Sequence, residues 1–152
     1  MDIKCTNENG CFSLRAAALI IDGGRILFAK SDQYDCYYTV GGGVSQNETT
    51  ADAVLRECYE ETGHRFEIDR LVYVQERFYS VEHVPHHDVT FFYLMKKNQH
   101  DIPDGRTTDQ NNEHLYWIPI AEAAEANIVP AFLRQGVQNL PAEITHVVSY
   151  EQ

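Results

Sequence analysis

Glu57, Glu60 and Glu61 are spaced at i, i+3 and i+4, the spacing that brings side chains together on one flank of an α-helix. The segment 50–62 around them has helical periodicity and stops before Gly63, a residue type that suits the left-handed position after a helix. Its apolar stripe, which would face a core, consists of Ala51, Val54, Leu55, Cys58 and Thr62. The three carboxylates fall on a different sector of the helix, so we expect them on an exposed flank.

Such an acidic flank is unfavourable unless something positive neutralises it. Like charges at these spacings destabilise a helix by about 0.2–0.5 kcal/mol per pair, and the last helical turn favours cations instead. Mg²⁺ or Mn²⁺ would supply the charge, because these ions bind carboxylate, water and phosphate oxygens. A glycine-rich turn at Gly41, Gly42 and Gly43 would let a ligand approach the backbone closely. The pattern indicates a pyrophosphate site with a divalent cation. On composition alone, the alternative is an acidic, solvated helix face.

The overall charge favours a small ligand over a polymer. The chain has 152 residues with 12 Lys and Arg against 23 Asp and Glu, a formal net charge of −11. This excess repels nucleic acid and the anionic surface of a membrane, so neither is expected as a partner. No apolar stretch approaches the ~18 residues of a membrane span, and the first residues lack the pattern of a signal peptide. With four cysteines and no Cys-x-x-Cys pair, we expect reduced thiols and a cytoplasmic location.

The elements that must position these residues are strands and helices in a mixed order. The length fits a single domain over residues 1–152, with residues 1–10 as a loose extension. The first two strands are expected to form a hairpin around Asp22-Gly23-Gly24. A polar loop is expected at 97–112. A second loop, which contains His83, His86 and His87, is expected between the predicted strands 71–78 and 88–95. The predicted strands are 12–21, 25–30, 37–40, 71–78, 88–95 and 115–118, and the predicted helices are 50–62, 121–126 and 130–138. This order predicts an α+β domain with α/β/α layers.

The glycines, the arginine and the glutamates also fit one known motif. Residues 42–64 read G-x5-E-x7-R-E-C-x-E-E-x-G-H, with fixed letters at Gly42, Glu48, Arg56, Glu57, Glu60, Glu61 and Gly63. This segment resembles the Nudix box of MutT-like pyrophosphohydrolases, G-x5-E-x7-R-E-U-x-E-E-x-G-U, where U is a bulky aliphatic residue. All seven fixed letters match at the required spacing. Cys58 and His64 depart from the aliphatic preference, and Val40 stands where many members of the family have proline. None of these departures changes a carboxylate.

The resemblance implies a Nudix hydrolase with an α/β/α sandwich around a mixed β-sheet. Glu57 and Glu61 would be the principal ligands of Mg²⁺ or Mn²⁺. Glu60 would be a further ligand, or the base that takes the proton from the attacking water. Homodimers are common in the family. A homodimer is therefore the alternative to a monomer for this chain.

Other residues would support these ligands or contact the substrate. The resemblance implies that Arg56 and Glu48 pair and hold the carboxylates in place, and that Gly42 and Gly43 shape a loop–helix junction around the phosphates. Arg15 either reaches a phosphate or carboxylate of the substrate or stays a charge on the rim. Aromatic residues just before the glycines either stack on a nucleobase or pack in the core; they are Tyr34, Tyr37 and Tyr38.

The sequence leaves the general base open. Members of the family use either a glutamate of the box or an acid on a distant loop. Glu113, at the end of the polar loop and just before a strand, is the preferred candidate of the second kind. Asp88 and Asp109 are the others, and for any one of these acids a solvent-facing loop side chain is the favoured alternative. His86 and His87 point to opposite faces if they lie in a strand, so a shared metal site is not expected there.

We therefore expect the chain to hydrolyse the diphosphate linkage of a nucleoside diphosphate joined to another moiety. A nucleotide sugar or ADP-ribose is one type of such a substrate, and a nucleoside triphosphate is another. A non-catalytic Nudix-fold nucleotide sensor is the first alternative, but it would be expected to lack glutamates of the box. A plain acidic interaction domain without metal is the second alternative.

Overall fold

The computed structural model describes residues 1–97, 100–108 and 112–152. No helix among these residues is long and apolar enough to cross a membrane. The helices are α1 (Thr50–Thr62), α2 (Ile120–Ala123) and α3 (Leu133–Gly136). The strands are β1 (Lys4–Asn7), β2 (Gly10–Leu19), β3 (Ile21–Asp22), β4 (Arg25–Ser31), β5 (Tyr37–Gly43), β6 (Ile68–Val81), β7 (Val84–Met95), β8 (Arg106–Thr107), β9 (Glu113–Pro119), β10 (Ile128–Val129) and β11 (Thr145–Tyr150).

The strands form one mixed sheet with β2 near its centre. The order is β11-β6-β7-β2-β5-β4-β9-β8, with β1 beside β2, β3 beside β4 and β10 beside β5. Strand β2 runs parallel to β7 on one side and antiparallel to β5 on the other. Apolar side chains are buried on both sides of the sheet. One cluster includes Val54 and Cys58 of α1, and the other includes Ala123 of α2 and Leu133 of α3. The predicted α+β sandwich is confirmed.

Helix α1 has the bounds that the sequence predicts. The side chain of Thr49, just before the helix, accepts a hydrogen bond from the backbone N–H of Asp52. Gly63 follows the last turn with φ 76° and donates its N–H to the carbonyl of Tyr59. Both signals are local, and each satisfies backbone groups that a helix end leaves free.

The predicted hairpin is present only in part. Strand β4 pairs with the two residues of β3, and β2 pairs instead with β5 and β7. The reason is burial, since residues 16–19 are almost fully buried and can only belong to a central strand. The predicted histidine loop is also wrong. Strands β6 and β7 continue to a two-residue turn at Glu82 and His83, whose φ values of 50° and 68° suit a tight hairpin, so His86 and His87 lie in β7.

The chain ends are more ordered than the sequence indicates. Residues 1–10 include strand β1, which pairs with β2 where a loose extension was expected. Strand β11 was not predicted, and it adds a parallel edge strand beside β6. The helices near 121–126 and 130–138 are shorter than expected, at four residues each.

Candidate active site

Strand β5 lies against helix α1 at the three glycines. Gly41, Gly42 and Gly43 belong to this strand, so the predicted glycine turn is wrong. A Cβ on residue 42 would lie 2.5 Å from Oε1 of Glu57. Glycine therefore leaves the room that the Glu57 carboxylate occupies. The motif brings strand backbone, and not a loop, against the acidic flank of the helix.

That flank is largely covered. Only 7% of Glu57 and 3% of Glu61 are exposed, whereas 43% of the Glu60 side chain is exposed. The prediction of an exposed flank is wrong for Glu57 and Glu61, because β5 packs over the sector of α1 that carries them. Burial raises the pKa of Glu57 and of Glu61, since it disfavours the charged form of a carboxyl group.

Arg56 connects the helix to the strand and to the loop before the helix. Its Nε and Nη2 donate to the two oxygens of Glu48 at 2.8 and 3.0 Å. Its Nη1 donates to Oε1 of Glu57 at 3.0 Å, and Nη2 also donates to the carbonyl of Gly43 at 3.1 Å. The expected contact between Arg56 and Glu48 is therefore present. The hydrogen bond from Arg56 lowers the pKa of Glu48 to about 2.

Glu113 of β9 reaches the same place from a distant part of the chain. Its carboxyl group is buried and lies near that of Glu61. The hydroxyl of Tyr38 donates to Oε2 of Glu113 at 2.5 Å, and that of Thr108 donates to Oε1 at 3.3 Å. Oε2 of Glu61 accepts the N–H of Gly41 at 2.9 Å. Burial, together with the Glu113 carboxyl, raises the pKa of Glu61 well above its ordinary value. The two glutamates form one buried carboxyl pair.

Asp88 and Asp109 are the other acids that the sequence offers as the base. Asp88 is buried in β7, where it accepts a hydrogen bond from the hydroxyl of Tyr79 at 2.9 Å. Asp109 lies outside the described residues. Between Glu113 and Asp88, Glu113 is thus the one that lies beside Glu61.

A cleft of about 450 Å³ opens beside Gly42, between the sheet and the segment before β5. The side chains of Lys4, Arg15 and Arg77 line it. In a chain with a net charge of −11, three basic groups in one cleft favour an anionic ligand. Among the tyrosines considered for stacking, Tyr34 and Tyr38 line this cleft, whereas Tyr37 packs against the ring of Tyr116.

Sequence reasoning missed the contribution of β6 to this cleft. Gln75, Arg77 and Tyr79 line it from alternate positions of that strand. The available signal was the alternation itself, because residues i, i+2 and i+4 of a strand share one face. Three polar or half-polar residues in that pattern predict a face that is not part of an apolar core.

Solved structures with this fold include several Nudix proteins. A mutator MutT protein from Bacillus halodurans has a TM-score of 0.67 at 16% identity, with 91% of this chain and 90% of that chain covered. A MutT NUDIX hydrolase from Burkholderia pseudomallei has a TM-score of 0.58 at 24% identity, with 72% of this chain and 84% of that chain covered. An ADP-ribose pyrophosphatase from Streptococcus suis has a TM-score of 0.56 at 13% identity, with 90% of this chain and 98% of that chain covered. At such identities the likeness shows the fold.

The family follows from the sequence itself. No curated protein matches the chain. The family model described as NUDIX domain matches residues 12–140, most of the chain, and this range contains β5, α1 and β9. The matched range therefore includes the glycines, the arginine and the glutamates whose contacts are described above. The chain belongs to the Nudix hydrolase family.

Proposed function

We propose that this Nudix hydrolase cleaves the diphosphate linkage of a nucleoside diphosphate joined to another moiety, or of a nucleoside triphosphate. The observation that carries the proposal is the position of the Glu57 carboxylate, which lies against Gly42 at the edge of a cleft lined by basic side chains. A phosphate in that cleft would lie beside Glu57 and the other glutamates of α1. The name of one structural neighbour, the ADP-ribose pyrophosphatase from Streptococcus suis, supports this substrate class.

The proposal includes a divalent cation, Mg²⁺ or Mn²⁺, held by Glu57, Glu61 and Glu60. Over the described parts of the chain, no three His, Cys, Asp or Glu side chains converge as a ready-made ion site. The donor chemistry fits a hard cation, because Glu57 and Glu61 carry carboxyl oxygens on the same flank of α1, facing β5. When bound, such an ion withdraws charge from the diphosphate oxygens and acidifies a water molecule.

The protein side chains would position the substrate and the acids. Arg15, exposed in the cleft, would bind a phosphate oxygen. Gly42 would leave room for the Glu57 carboxylate beside the bound phosphate. Arg56 would keep Glu57 in place from one side while Glu48 fixes the guanidinium from the other. Water would attack one phosphorus, and the products would be a phosphomonoester and a second phosphate-bearing fragment.

We assign the general base to Glu113. Its Oε2 would accept the proton of the attacking water, with Tyr38 and Thr108 orienting the carboxyl group by hydrogen bonds. Glu60 is the alternative base, and its exposed carboxylate contacts Arg56 at 3.4 Å. The buried and oriented carboxyl is better suited, because a base acts through a fixed geometry. A homodimer, a cytoplasmic location and the exclusion of nucleic acid stay predictions of the sequence.

A substrate panel tests the proposed function. ADP-ribose, a nucleotide sugar, a nucleoside triphosphate and a dinucleoside polyphosphate would be incubated with Mg²⁺ or Mn²⁺, and released phosphate read after coupling to a phosphatase. We expect turnover of at least one compound, and none in EDTA. Absence of turnover with every compound and both ions would contradict the proposal.

Two variants tie that turnover to the helix acids. Glu57→Gln and Glu61→Gln are each expected to lose most of the turnover while keeping the circular dichroism spectrum of the wild type. Glu122→Gln, which changes an exposed acid of α2, is the matched control and should retain activity. Near wild-type rates of both helix variants at saturating ion concentration would overturn the assignment.

A further inference from the structure

The floor of the cleft is a grid of polar side chains from three neighbouring strands. It consists of Gln75 and Arg77 of β6, Asp88 and Thr90 of β7, and Ser13 and Arg15 of β2. Because these residues are cross-strand partners or lie two positions apart, their side chains share one face of the sheet. Gln75, Asp88 and Thr90 are only 1%, 6% and 8% exposed. The deepest part of the cleft is therefore polar, although burial of polar groups requires hydrogen-bond partners.

This deep part is rich in hydrogen-bond acceptors. A carboxylate has about four acceptor sites, and among the described residues the hydroxyl of Tyr79 is the one side-chain group that donates to Asp88. Burial, with a further contribution from Asp88, raises the pKa of Tyr79 to about 12, so its hydroxyl keeps the proton that it donates. Nε2 of Gln75 donates to the hydroxyl of Ser149 at 3.1 Å, which leaves Oε1 of Gln75 to accept. A ligand on this floor is expected to bring donors.

Arg15 and Arg77 belong to the strands on either side of Asp88. Arg15 is the cross-strand partner of Gly43 and is exposed. Arg77 lies with its guanidinium 3.9 Å from the centre of the Tyr79 ring and pairs with Glu151. Asp88 is one strand and two residues away from Arg15, on the order of 8 Å from the strand spacing and rise. A phosphate near Arg15 would thus leave the base of a nucleotide over Asp88, with the ribose between them.

We propose that Asp88 selects guanine as the base of the substrate. The Watson–Crick edge of guanine presents two adjacent donors, the N1–H and the 2-amino group, and one carboxylate can accept both. Adenine and cytosine each present an amino group next to a ring acceptor, and uracil presents a single N–H between two carbonyls. Asp88 is thereby a specificity-determining residue, and Oε1 of Gln75 is a second acceptor for the amino group. This inference rests on the proposed function, because it names the base of the nucleotide cleaved at the same site.

Calorimetric titration of the whole chain with mononucleotides in the presence of Mg²⁺ tests the inference. GMP and IMP differ only in the 2-amino group, so their comparison isolates the donor assigned to Asp88. We expect GMP to bind about 10-fold or more tightly than IMP, and more tightly than AMP and UMP, since a hydrogen bond to a charged acceptor has this effect. Equal affinity for GMP and IMP, tighter binding of AMP or UMP, or no binding of any of the four at millimolar concentration would overturn the inference.

The variant Asp88→Asn probes the residue directly. It keeps the shape of the side chain and an oxygen that Tyr79 can donate to, but it replaces one acceptor by a donor. We expect the variant to bind GMP no better than IMP. A folded Asp88→Asn protein that retains the wild-type preference for GMP would overturn the role of Asp88. The wild-type comparison of GMP with IMP stands without the variant, so the inference is still tested if Asp88→Asn does not fold.

Binding and hydrolysis separate this inference from the proposed function. Selective binding of GMP without turnover of guanine compounds in the substrate panel, with GTP as the triphosphate and a GDP-sugar as the nucleotide sugar, would contradict the proposed function and support the base assignment. Turnover of panel compounds with no preference for GMP over IMP would support the proposed function and overturn the base assignment.

Discussion

The Glu57 carboxylate lies against Gly42, so that a Cβ on residue 42 would stand 2.5 Å from Oε1 of Glu57. Arg56 strengthens the same junction, since it donates both to Glu57 on α1 and to the carbonyl of Gly43 on β5. The spacing between the first glycine and the glutamates of the motif therefore reflects one tertiary contact. That contact helps to fix the acids of α1 relative to the cleft.

Gly42→Ala is expected to reduce activity more than stability. The atoms that the new Cβ would meet are at the far end of a flexible side chain, so the protein can fold with the Glu57 carboxylate displaced. We expect kcat/KM to fall by about 10–100-fold, as for lost positioning of a metal ligand, with a small change in Tm. Kinetics and thermal denaturation of the same preparation would measure both. Wild-type kcat/KM in the variant would contradict the functional importance of the contact.

Glu113→Gln separates catalysis from stability. The substitution removes the assigned base, so turnover is expected to fall by about 10²–10⁴-fold. It also removes a buried carboxyl group beside Glu61, so Tm is expected to stay or rise, because the amide does not repel a carboxylate. Tyr38→Phe keeps Glu113 but removes a hydrogen bond that orients it, and we expect a smaller loss. Full activity of Glu113→Gln, with loss of activity in Glu60→Gln, would transfer the role of base to Glu60.

The pair of Glu48 and Arg56 predicts a specific dependence of stability on pH. In the folded protein the hydrogen bond from Arg56 lowers the pKa of Glu48 to about 2, from an ordinary value of 4.5. Because the folded-state pKa is the lower one, this stabilisation is fully present above about pH 4.5 and is lost as the pH falls toward 2. Thermal denaturation without metal should give wild type a higher Tm than Glu48→Gln near neutral pH. The difference should shrink below about pH 4.5. A difference that stays constant down to about pH 2 would contradict this linkage.

Cys58→Val is expected to remain active. The thiol is fully buried in the core under α1, and burial raises its pKa, so it stays a neutral apolar group. Valine is the kind of aliphatic residue that the family motif has at this position. We expect kcat/KM within about twofold of wild type, measured on the same panel. A folded but inactive variant would show that the thiol has a chemical role.

Local signals predicted α1 well, and non-local contacts explain where the prediction failed. Thr49 and Gly63 cap the helix through hydrogen bonds to residues a few positions away, so its bounds can be deduced from the sequence. The burial of Glu57 and Glu61 could not be deduced from a helical wheel, because the cover is provided by β5. When the helix is considered by itself, a sector with three acidic residues predicts a solvent-exposed face.

The same difference between local signals and non-local contacts applies to the other elements of the site. Glu113 was preferred only for its place after a polar loop, and its contact with Glu61 depends on the pairing of β9 with β4 and of β4 with β5. Strand β11 was missed because it lies at the edge of the sheet and is defined by parallel pairing with the distant β6. The polar floor formed by Gln75, Asp88 and Thr90 needs the register of two strands, which the sequence pattern does not supply.

A crystal structure of the protein grown with Mn²⁺ tests the central claim most directly, through anomalous scattering from the ion. The account predicts a manganese peak bonded to carboxylate oxygens of Glu57 and Glu61, beside Gly42 and at the edge of the cleft. Manganese bound elsewhere, with Glu57 and Glu61 making no contact to it, would contradict the account.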